Sequence, residues 1–293
     1  SLGSAFHVAM NGASAGRKII SLLNVPDPVW GKNEVKGTEL KLNGVTFSYD
    51  GKRDVLKNVS MTFPEKGMTA IVGESGCGKS TVVNMLIGAY RPKAGNVTVG
   101  GEVLENVTRE SYYLHLASVS YNTYIFNDTV RANFELAKKN ASDEEIWSAL
   151  EKVNLADFIK ENGGLDKVIT EDANNVSGGQ KQRLALAVNL VADKDIYVFD
   201  EATSNIDIES EAIIMDNIKA MSKNKSVIVI SHRLANVVPA DNIYYMEEGE
   251  VKESGSHAQL MSAQGGYAKL FNTQKALEEG YKEITGATAE VRA

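Results

Sequence analysis

The chain has 293 residues, of which 43% are hydrophobic and 24% are charged, and its formal net charge is −7. An acidic balance argues against a broad nucleic-acid surface, which needs clustered lysine and arginine. The sequence has no apolar run of about 18 residues and no signal-peptide pattern, so no membrane-spanning helix is predicted. The single cysteine, Cys77, cannot form an internal disulfide, which favours a reducing compartment.

The N-terminal part is predicted to be a helix followed by a connection. Residues 5–23 have a helical pattern that Gly12 and Gly16 weaken. Two prolines, Pro26 and Pro28, then end the helix. The residues from there to about Gly37 are expected to connect rather than to contribute to a core.

Strands are predicted next. Alternating apolar and polar residues indicate strands over 39–49 and 55–63, and Asp50-Gly51 between them is a turn signal. A hairpin is predicted over 95–103. These strands flank residues 68–81 on both sides, so we expect an antiparallel β layer beside that segment.

Residues 68–81 carry the most specific pattern of the chain. An apolar strand leads into G-x-x-x-x-G-K-[ST], from Gly73 to Ser80, and a helical stretch follows. The glycines allow several backbone N–H groups to point at one anion, and the helix adds the positive end of its dipole. Lys79 is placed to reach the β- and γ-phosphates of a nucleotide, and the Ser80 hydroxyl to bind Mg²⁺. A chance glycine turn is the alternative, and the agreement of pattern and context disfavours it. Cys77 is interpreted as a small tolerated loop residue, with a reactive thiol as the alternative.

A helical lobe is predicted over about 127–175. Ser142 and Glu145 form a capping box, and apolar residues follow at helical spacing over 146–153. Gly163-Gly164 then marks a helix end. We interpret this lobe as an insertion into the fold.

The C-terminal half alternates strands and helices. Two nearly all-apolar runs, 196–199 and 227–230, are typical of strands buried on both faces of a parallel sheet. A helix is predicted between them, over 207–221, and a hairpin over 242–251. The polar tail from Thr273 is expected to be loosely held.

Two acidic residues close the first of these strands. Asp200 is placed to hold Mg²⁺ opposite Ser80, and Glu201 to orient or deprotonate an attacking water. A solvated turn is the alternative for such a pair, and the phosphate loop disfavours it.

A second anion site is predicted at Ser177-Gly178-Gly179-Gln180, before another helical stretch. Ser177 can cap the helix, and the two glycines allow an anion to approach its N-terminus. One chain needs only one γ-phosphate site. Two half-sites therefore suggest a head-to-tail pair of chains, each completing the site of the other.

Together, the loop 73–80, the motif 177–180, the strand ending in Asp200-Glu201, and His232 resemble the ATP-binding cassette (ABC) domain. The resemblance covers about residues 38–265 and is closest to the exporter type, which is fused behind a transmembrane domain. It implies an α/β fold: a RecA-like P-loop NTPase core with an antiparallel β subdomain and an inserted α-helical subdomain. It also implies ATP hydrolysis, ATP and Mg²⁺ as ligands, and transmembrane transport driven by ATP-dependent dimerisation.

The resemblance also implies the domain boundaries and partners. Residues 1–37 would be a linker helix continuing from a transmembrane domain, 38–272 the ATPase domain, and 273–293 a C-terminal tail. The expected partners are a second cassette, identical or not, and that transmembrane domain, with no nucleic acid. A soluble piece at the cytoplasmic face of the cell membrane is expected.

Site residues follow by position. The resemblance gives Tyr49 the role of stacking on adenine and His232 that of contacting the γ-phosphate. Asp207 would cross to the partner chain, and Glu171 would face the membrane domain. The predicted catalytic residues are Glu201, His232 and Lys79; the predicted nucleotide-binding residues are Tyr49, Gly73, Glu74, Ser75, Gly76, Cys77, Gly78, Lys79, Ser80, Thr81, Ser177, Gly178, Gly179 and Gln180; and the predicted metal ligands are Ser80 and Asp200.

The chain departs from the family pattern at several positions. Tyr121 stands where the family has a glutamine that binds Mg²⁺, and tyrosine is a poor neutral metal ligand. Thr170 and Ala173 replace glycines, and Val188 replaces an arginine. ATP binding should survive these changes. They leave open a low-turnover nucleotide-sensing or regulatory cassette; a soluble cassette ATPase acting on nucleic acid or ribosomes is a further alternative.

Overall fold

The structure is a computed structural model that describes residues 10, 12–20, 30–121, 124–170 and 175–277. Within these residues the strands form two sheets. The strands are β1 (Leu40–Phe47), β2 (Leu56–Phe63), β3 (Gly67–Gly73), β4 (Ala94–Val99), β5 (Glu102–Val103), β6 (Leu116–Ser120), β7 (Ile196–Asp200), β8 (Ser226–Ile230), β9 (Asn242–Glu247) and β10 (Glu250–Gly255). The helices include α1 (Lys79–Leu86), α2 (Arg109–His115), α3 (Val130–Ala137), α4 (Asp143–Lys152), α5 (Ala156–Glu161), α6 (Gly178–Val191), α7 (Ile208–Ser222) and α8 (His257–Ala263), and a C-terminal helix covers residues 266–277.

The smaller sheet is the predicted antiparallel layer. Its strand order is β2-β1-β4-β5, and β1 pairs antiparallel with both β2 and β4. The hairpin predicted over 95–103 is confirmed as β4 and β5. Alternate residues of β1 are buried, beginning with Leu40 and Leu42, because one face of the sheet packs on the core.

The larger sheet has the order β10-β9-β3-β8-β7-β6. All its pairs are parallel except the edge pair of β10 with β9. The two apolar runs are confirmed as buried neighbours, paired from Ile196 with Ser226 to Asp200 with Ile230. Because parallel strands end at the same edge, the carboxyl ends of β3, β7 and β8 lie side by side, and ligands bind at this edge in open α/β sheets.

Short helices occupy residues 130–161, as the sequence predicts. The capping box is confirmed: Ser142 Oγ accepts from the Glu145 N–H, and the Glu145 carboxylate accepts from the Ser142 N–H. A left-handed residue, Gly163, follows α5 with φ of 111°. Thr129 pairs with Val168 in an isolated antiparallel bridge, which joins the two ends of this helical region.

The predicted N-terminal helix is present at residues 12–20, and residues 1–9, 11 and 21–29 lie outside the described residues. The connection that follows is more tightly packed than predicted. The Trp30 ring lies 4.7 Å from the Arg91 guanidinium and near the rings of Tyr112 and Tyr113, and Asn33 forms a parallel bridge with Val107. Aromatic and cation–π contacts of this kind offset the entropy of ordering a connection. Within the described ranges, no helix combines the length and apolarity needed to cross a bilayer.

The prediction of a loosely held tail from Thr273 is wrong for residues 273–277. They continue the C-terminal helix, which packs against the larger sheet's core through Tyr267 and Phe271. Polar composition alone misled the prediction, because one face of this helix is apolar. Residues 278–293 lie outside the described part of the chain.

Candidate active site

The loop between β3 and α1 has the geometry that its glycines predict. Gly73 has φ of 151°, and a Cβ atom there would lie 2.2 Å from the Met246 carbonyl oxygen. Gly78, with φ of 108°, is the N-cap of α1. Any other residue at Gly73 would displace the backbone, so the close approach requires glycine. The loop therefore presents the N-terminal N–H groups of α1 beside the sheet edge.

Lys79 folds back over this loop. Its side chain is 6% exposed, and Nζ donates to the carbonyl oxygens of Gly73 at 2.8 Å and Glu74 at 2.9 Å. Cys77 is a free, buried cysteine whose Sγ lies 3.9 Å from Nζ. The ammonium group is thus held at the loop itself, where it can exchange a carbonyl partner for a phosphate oxygen.

Asp200 ends β7 next to Ser80. Burial raises the pKa of the Asp200 carboxyl, and the charge of Glu201 adds to this, while Lys79, His232 and the Ser80 hydroxyl act in the opposite direction. Oδ1 of Asp200 is buried and has no hydrogen-bond partner. An unpaired buried carboxylate oxygen beside a hydroxyl fits a hard cation such as Mg²⁺. No cluster of three or more His, Cys, Asp or Glu suited to a metal occurs among the described residues.

Glu201 and His232 meet across the sheet edge. The chain turns out of β7 at Glu201, which has the left-handed φ of 55° and donates its N–H to the Ile230 carbonyl. His232 Nε2 lies 2.6 Å from Glu201 Oε1. The structure thus brings together the predicted catalytic residues in one cleft, which is lined by Val55, Ser75, Gly76, Gly78, Lys79, Ser80, Thr81, Glu201 and His232.

Tyr49 lies at the side of the loop. Its hydroxyl and the Thr81 hydroxyl are 3.0 Å apart, and its ring packs edge-on against Phe47 and Tyr90. The ring remains 56% exposed, so a flat ligand can reach it.

The second predicted anion motif caps α6. Ser177 Oγ accepts from the Gln180 N–H, and Gln180 Oε1 accepts from the Ser177 N–H at 2.8 Å. Ser177 and Gly178 are exposed, and a Cβ atom on Gly179 would lie 3.0 Å from the Asn205 carbonyl. None of these residues lines the cleft of the loop. One chain therefore does not bring the two predicted half-sites together.

The other positions singled out from the sequence lie outside that cleft. Asp207 caps α7. Its carboxylate accepts a hydrogen bond from the Ser210 N–H, and this bond lowers the pKa of Asp207. Tyr121 is 56% exposed and lines a separate cavity with Tyr124 and Gly178. Glu171 falls outside the described residues.

Sequence reasoning missed Gln182, which is 5% exposed. Its Nε2 donates to the Glu201 carbonyl at 3.3 Å, and its Oε1 accepts from the Asn205 N–H at 3.1 Å. The amide thus ties α6 to the backbone that carries the Glu201 side chain. A buried polar residue inside an apolar helix is the signal that could have revealed it.

Comparison with known proteins shows to which family this chain belongs. The family described as ABC transporter matches residues 56–204. An uncharacterized ABC transporter ATP-binding protein of Haemophilus influenzae is 42% identical over 98% of this chain and 52% of its own length. The ATP-dependent lipid A-core flippase of Aliivibrio fischeri is 40% identical over 83% of this chain and 42% of its own length. A bacterial Atm1-family ABC exporter solved with ATP bound superimposes with a TM-score of 0.81 at 30% identity, covering 93% of this chain and 49% of that one.

The chain belongs to the ABC transporter family. It has the P-loop NTPase fold with mixed α/β sheets, and the relatives that it matches are named as an ABC transporter ATP-binding protein, an ATP-dependent lipid A-core flippase and an Atm1-family ABC exporter. It spans about half the length of the relatives that it matches.

Proposed function

We propose that this chain is the ATP-driven part of a membrane exporter and works as a head-to-tail pair of cassettes. The observation that carries the proposal is the separation of the two half-sites. The exposed N-terminus of α6, with Ser177 and Gly178, lies outside the cleft that contains Lys79. A helix N-terminus with exposed glycines is an anion site. A second copy would supply it to the triphosphate bound on the first.

Each of three residues of the cleft would have its own role in the hydrolysis of ATP. Water attacks the γ-phosphorus, the bond to the bridging oxygen breaks, and ADP leaves with the electron pair. Glu201 accepts the proton of the attacking water, and His232, held by Glu201, contacts the γ-phosphate. Lys79 gives up its bonds to Gly73 and Glu74 to reach the phosphates.

Magnesium would be held by Ser80 and Asp200. The buried, unpaired Oδ1 of Asp200 supports this assignment. Mg²⁺, when bound, supplies positive charge that offsets the phosphate oxygens. Burial raises the pKa of the Asp200 carboxyl and so disfavours the ionised form that holds a cation, and the positive charge of a bound cation would offset this cost.

The export role rests on the relatives and on the N-terminal segment. The proteins named above are described as an ABC transporter ATP-binding protein, a lipid A-core flippase and an ABC exporter, so a nucleotide sensor or a cassette acting on nucleic acid finds no support there. We propose that residues 1–37 continue from a transmembrane domain, and that the ATPase domain begins at about residue 38, has a helical subdomain at about 127–175 and extends through the C-terminal helix to residue 277. The chain would then lie at the cytoplasmic face of a membrane, with Trp30 docking the connection.

Size measurements on Glu201→Gln test the pairing. This variant should bind Mg-ATP without consuming it, so its mass by light scattering should double with Mg-ATP and stay that of one chain with Mg-ADP. Adding Ser177→Arg places a bulky side chain at the exposed α6 cap and should prevent the doubling while one chain still binds ATP. A single-chain mass under saturating Mg-ATP would contradict the shared site.

Tyr49→Ala tests adenine stacking. Stacking of a base on an aromatic ring is worth about 1–3 kcal/mol, so the affinity for ATP should fall about 5- to 150-fold. Tyr49→Phe is the matched control, because it keeps the ring and loses only the hydroxyl contact with Thr81. Calorimetric titration with ATP measures both. If Tyr49→Ala bound ATP as tightly as the unchanged protein, the Tyr49 ring would only pack against its neighbours and would not stack on adenine.

A further inference from the structure

The C-terminal helix is anchored at its start. The Glu253 carboxylate on β10 accepts hydrogen bonds from the N–H groups of Gly266 and Tyr267, the first residues of the helix. Tyr267 is fully buried, its hydroxyl lies 2.7 Å from His257 Nδ1, and Phe271 stacks on its ring one turn later. The first two turns therefore have a defined position on the larger sheet.

Gln274 extends from this anchored face. Positions 267, 271 and 274 follow the i, i+4, i+7 spacing that places side chains on one side of a helix. The Gln274 amide makes two hydrogen bonds to the loop after β8. Its Nε2 donates to the His232 carbonyl at 2.7 Å, and its Oε1 accepts from the Leu234 N–H at 3.0 Å. The two bonds bracket Arg233.

The same loop presents His232 to the active site. The His232 side chain is 51% exposed, so packing alone does not hold it, yet its Nε2 lies 2.6 Å from Glu201 Oε1. On the other side of the loop, Ser231 Oγ accepts from the Arg233 N–H at 3.0 Å. The backbone position of His232 is thus set by Ser231 within the loop and by Gln274 from another element, 42 residues further along the chain.

We propose that Gln274 is a positioning residue for His232, and that the C-terminal helix thereby contributes to ATP hydrolysis. This inference rests on the proposed role of His232 at the γ-phosphate. Gln274 touches no reacting atom; it acts by holding the carbonyl group of His232. The Gln274 amide donates through Nε2 and accepts through Oε1, so one side chain meets both a carbonyl and an N–H group of the loop. Gln274 lies outside residues 56–204, which match the family, and the sequence alone placed it in a loose tail.

The test compares kinetics in two backgrounds. Gln274→Met keeps the length of the side chain and removes both hydrogen bonds. Small misplacements of a catalytic group can cost up to about 100-fold in rate, and we expect kcat for ATP to fall about 5- to 10-fold with KM changed less than about twofold. In the His232→Ala background the same change should lower kcat by less than about 1.5-fold, because residues acting as one unit are not additive.

Thr273→Val is the matched control. The Thr273 hydroxyl is exposed and donates to the Lys269 carbonyl of its own helix, so kcat should stay as in the unchanged chain. Thermal unfolding of every variant checks the fold. If Gln274→Met does not fold, Gln274→Glu replaces it with the same expectation, because an ionised carboxylate accepts from Leu234 but cannot donate to His232.

The outcomes separate the inference from the proposed function. A kcat of Gln274→Met equal to that of the unchanged chain, or an equal fall in both backgrounds, would overturn the positioning role and leave His232 in place. A His232→Ala protein with undiminished kcat would remove the γ-phosphate role of His232, and the inference about Gln274 with it. If Gln274→Met lowers kcat only where His232 is present, both the γ-phosphate role of His232 and the positioning role of Gln274 are supported.

Discussion

Glu201→Gln is expected to lower the rate of ATP hydrolysis by about 10²- to 10⁴-fold, the usual contribution of a general base. The amide keeps the size of the side chain but cannot accept the proton of the attacking water. It retains a carbonyl oxygen that can pair with His232 Nε2, now 2.6 Å from the carboxylate, so the cleft should keep its shape. Steady-state phosphate release with Mg-ATP measures the rate, and calorimetry should show that ATP still binds.

Glu151→Gln is the matched control for this experiment. Glu151 is exposed on α4, away from the residues that line the cleft, so the same chemical change there should leave the rate unaltered. A Glu201→Gln protein that hydrolyses ATP at the rate of the control would remove Glu201 as the base. The proton would then have to pass to another group or to the substrate itself.

Lys79→Met is expected to weaken ATP binding by about 10- to 150-fold, because a hydrogen bond to a charged group contributes about 1.5–3 kcal/mol. Methionine has nearly the length of lysine and fills the buried space, but carries no charge. Nζ of Lys79 donates to the carbonyls of Gly73 and Glu74, so the substitution also leaves two acceptors without that donor. Calorimetric titration measures the affinity for ATP, and thermal unfolding measures how much stability the substitution removes.

Lys36→Met serves as the control for the loss of one positive charge, since Lys36 is exposed in the connection before β1. Its ATP affinity should match that of the unchanged chain at the same ionic strength. If Lys79→Met bound ATP as tightly as Lys36→Met, the backbone amides of the loop would be sufficient for binding. Comparing the two lysines therefore separates a specific phosphate contact from the general effect of net charge.

The features that follow from neighbouring residues were predictable. The loop from Gly73, the capping boxes at Ser142 and Ser177, and the apolar runs of β7 and β8 depend on hydrogen bonds and periodicity within a few residues. The parallel pairing follows from those runs, since strands buried on both faces occur in parallel sheets. The meeting of Asp200 and Glu201 with the loop then follows from the shared edge.

The amino-acid sequence by itself therefore determined the fold class and which of the predicted site residues meet in the cleft beside the loop. Only the tertiary structure decided how Lys79 folds back, how Trp30 docks on Arg91, and how Gln274 holds the His232 loop. The two side-chain contacts of Trp30 and Gln274 join residues far apart in the chain, and no local periodicity specifies which distant partner a side chain meets. A polar residue such as Gln274 shows only its polarity in the sequence, whereas its two hydrogen bonds depend on where the anchored helix places it.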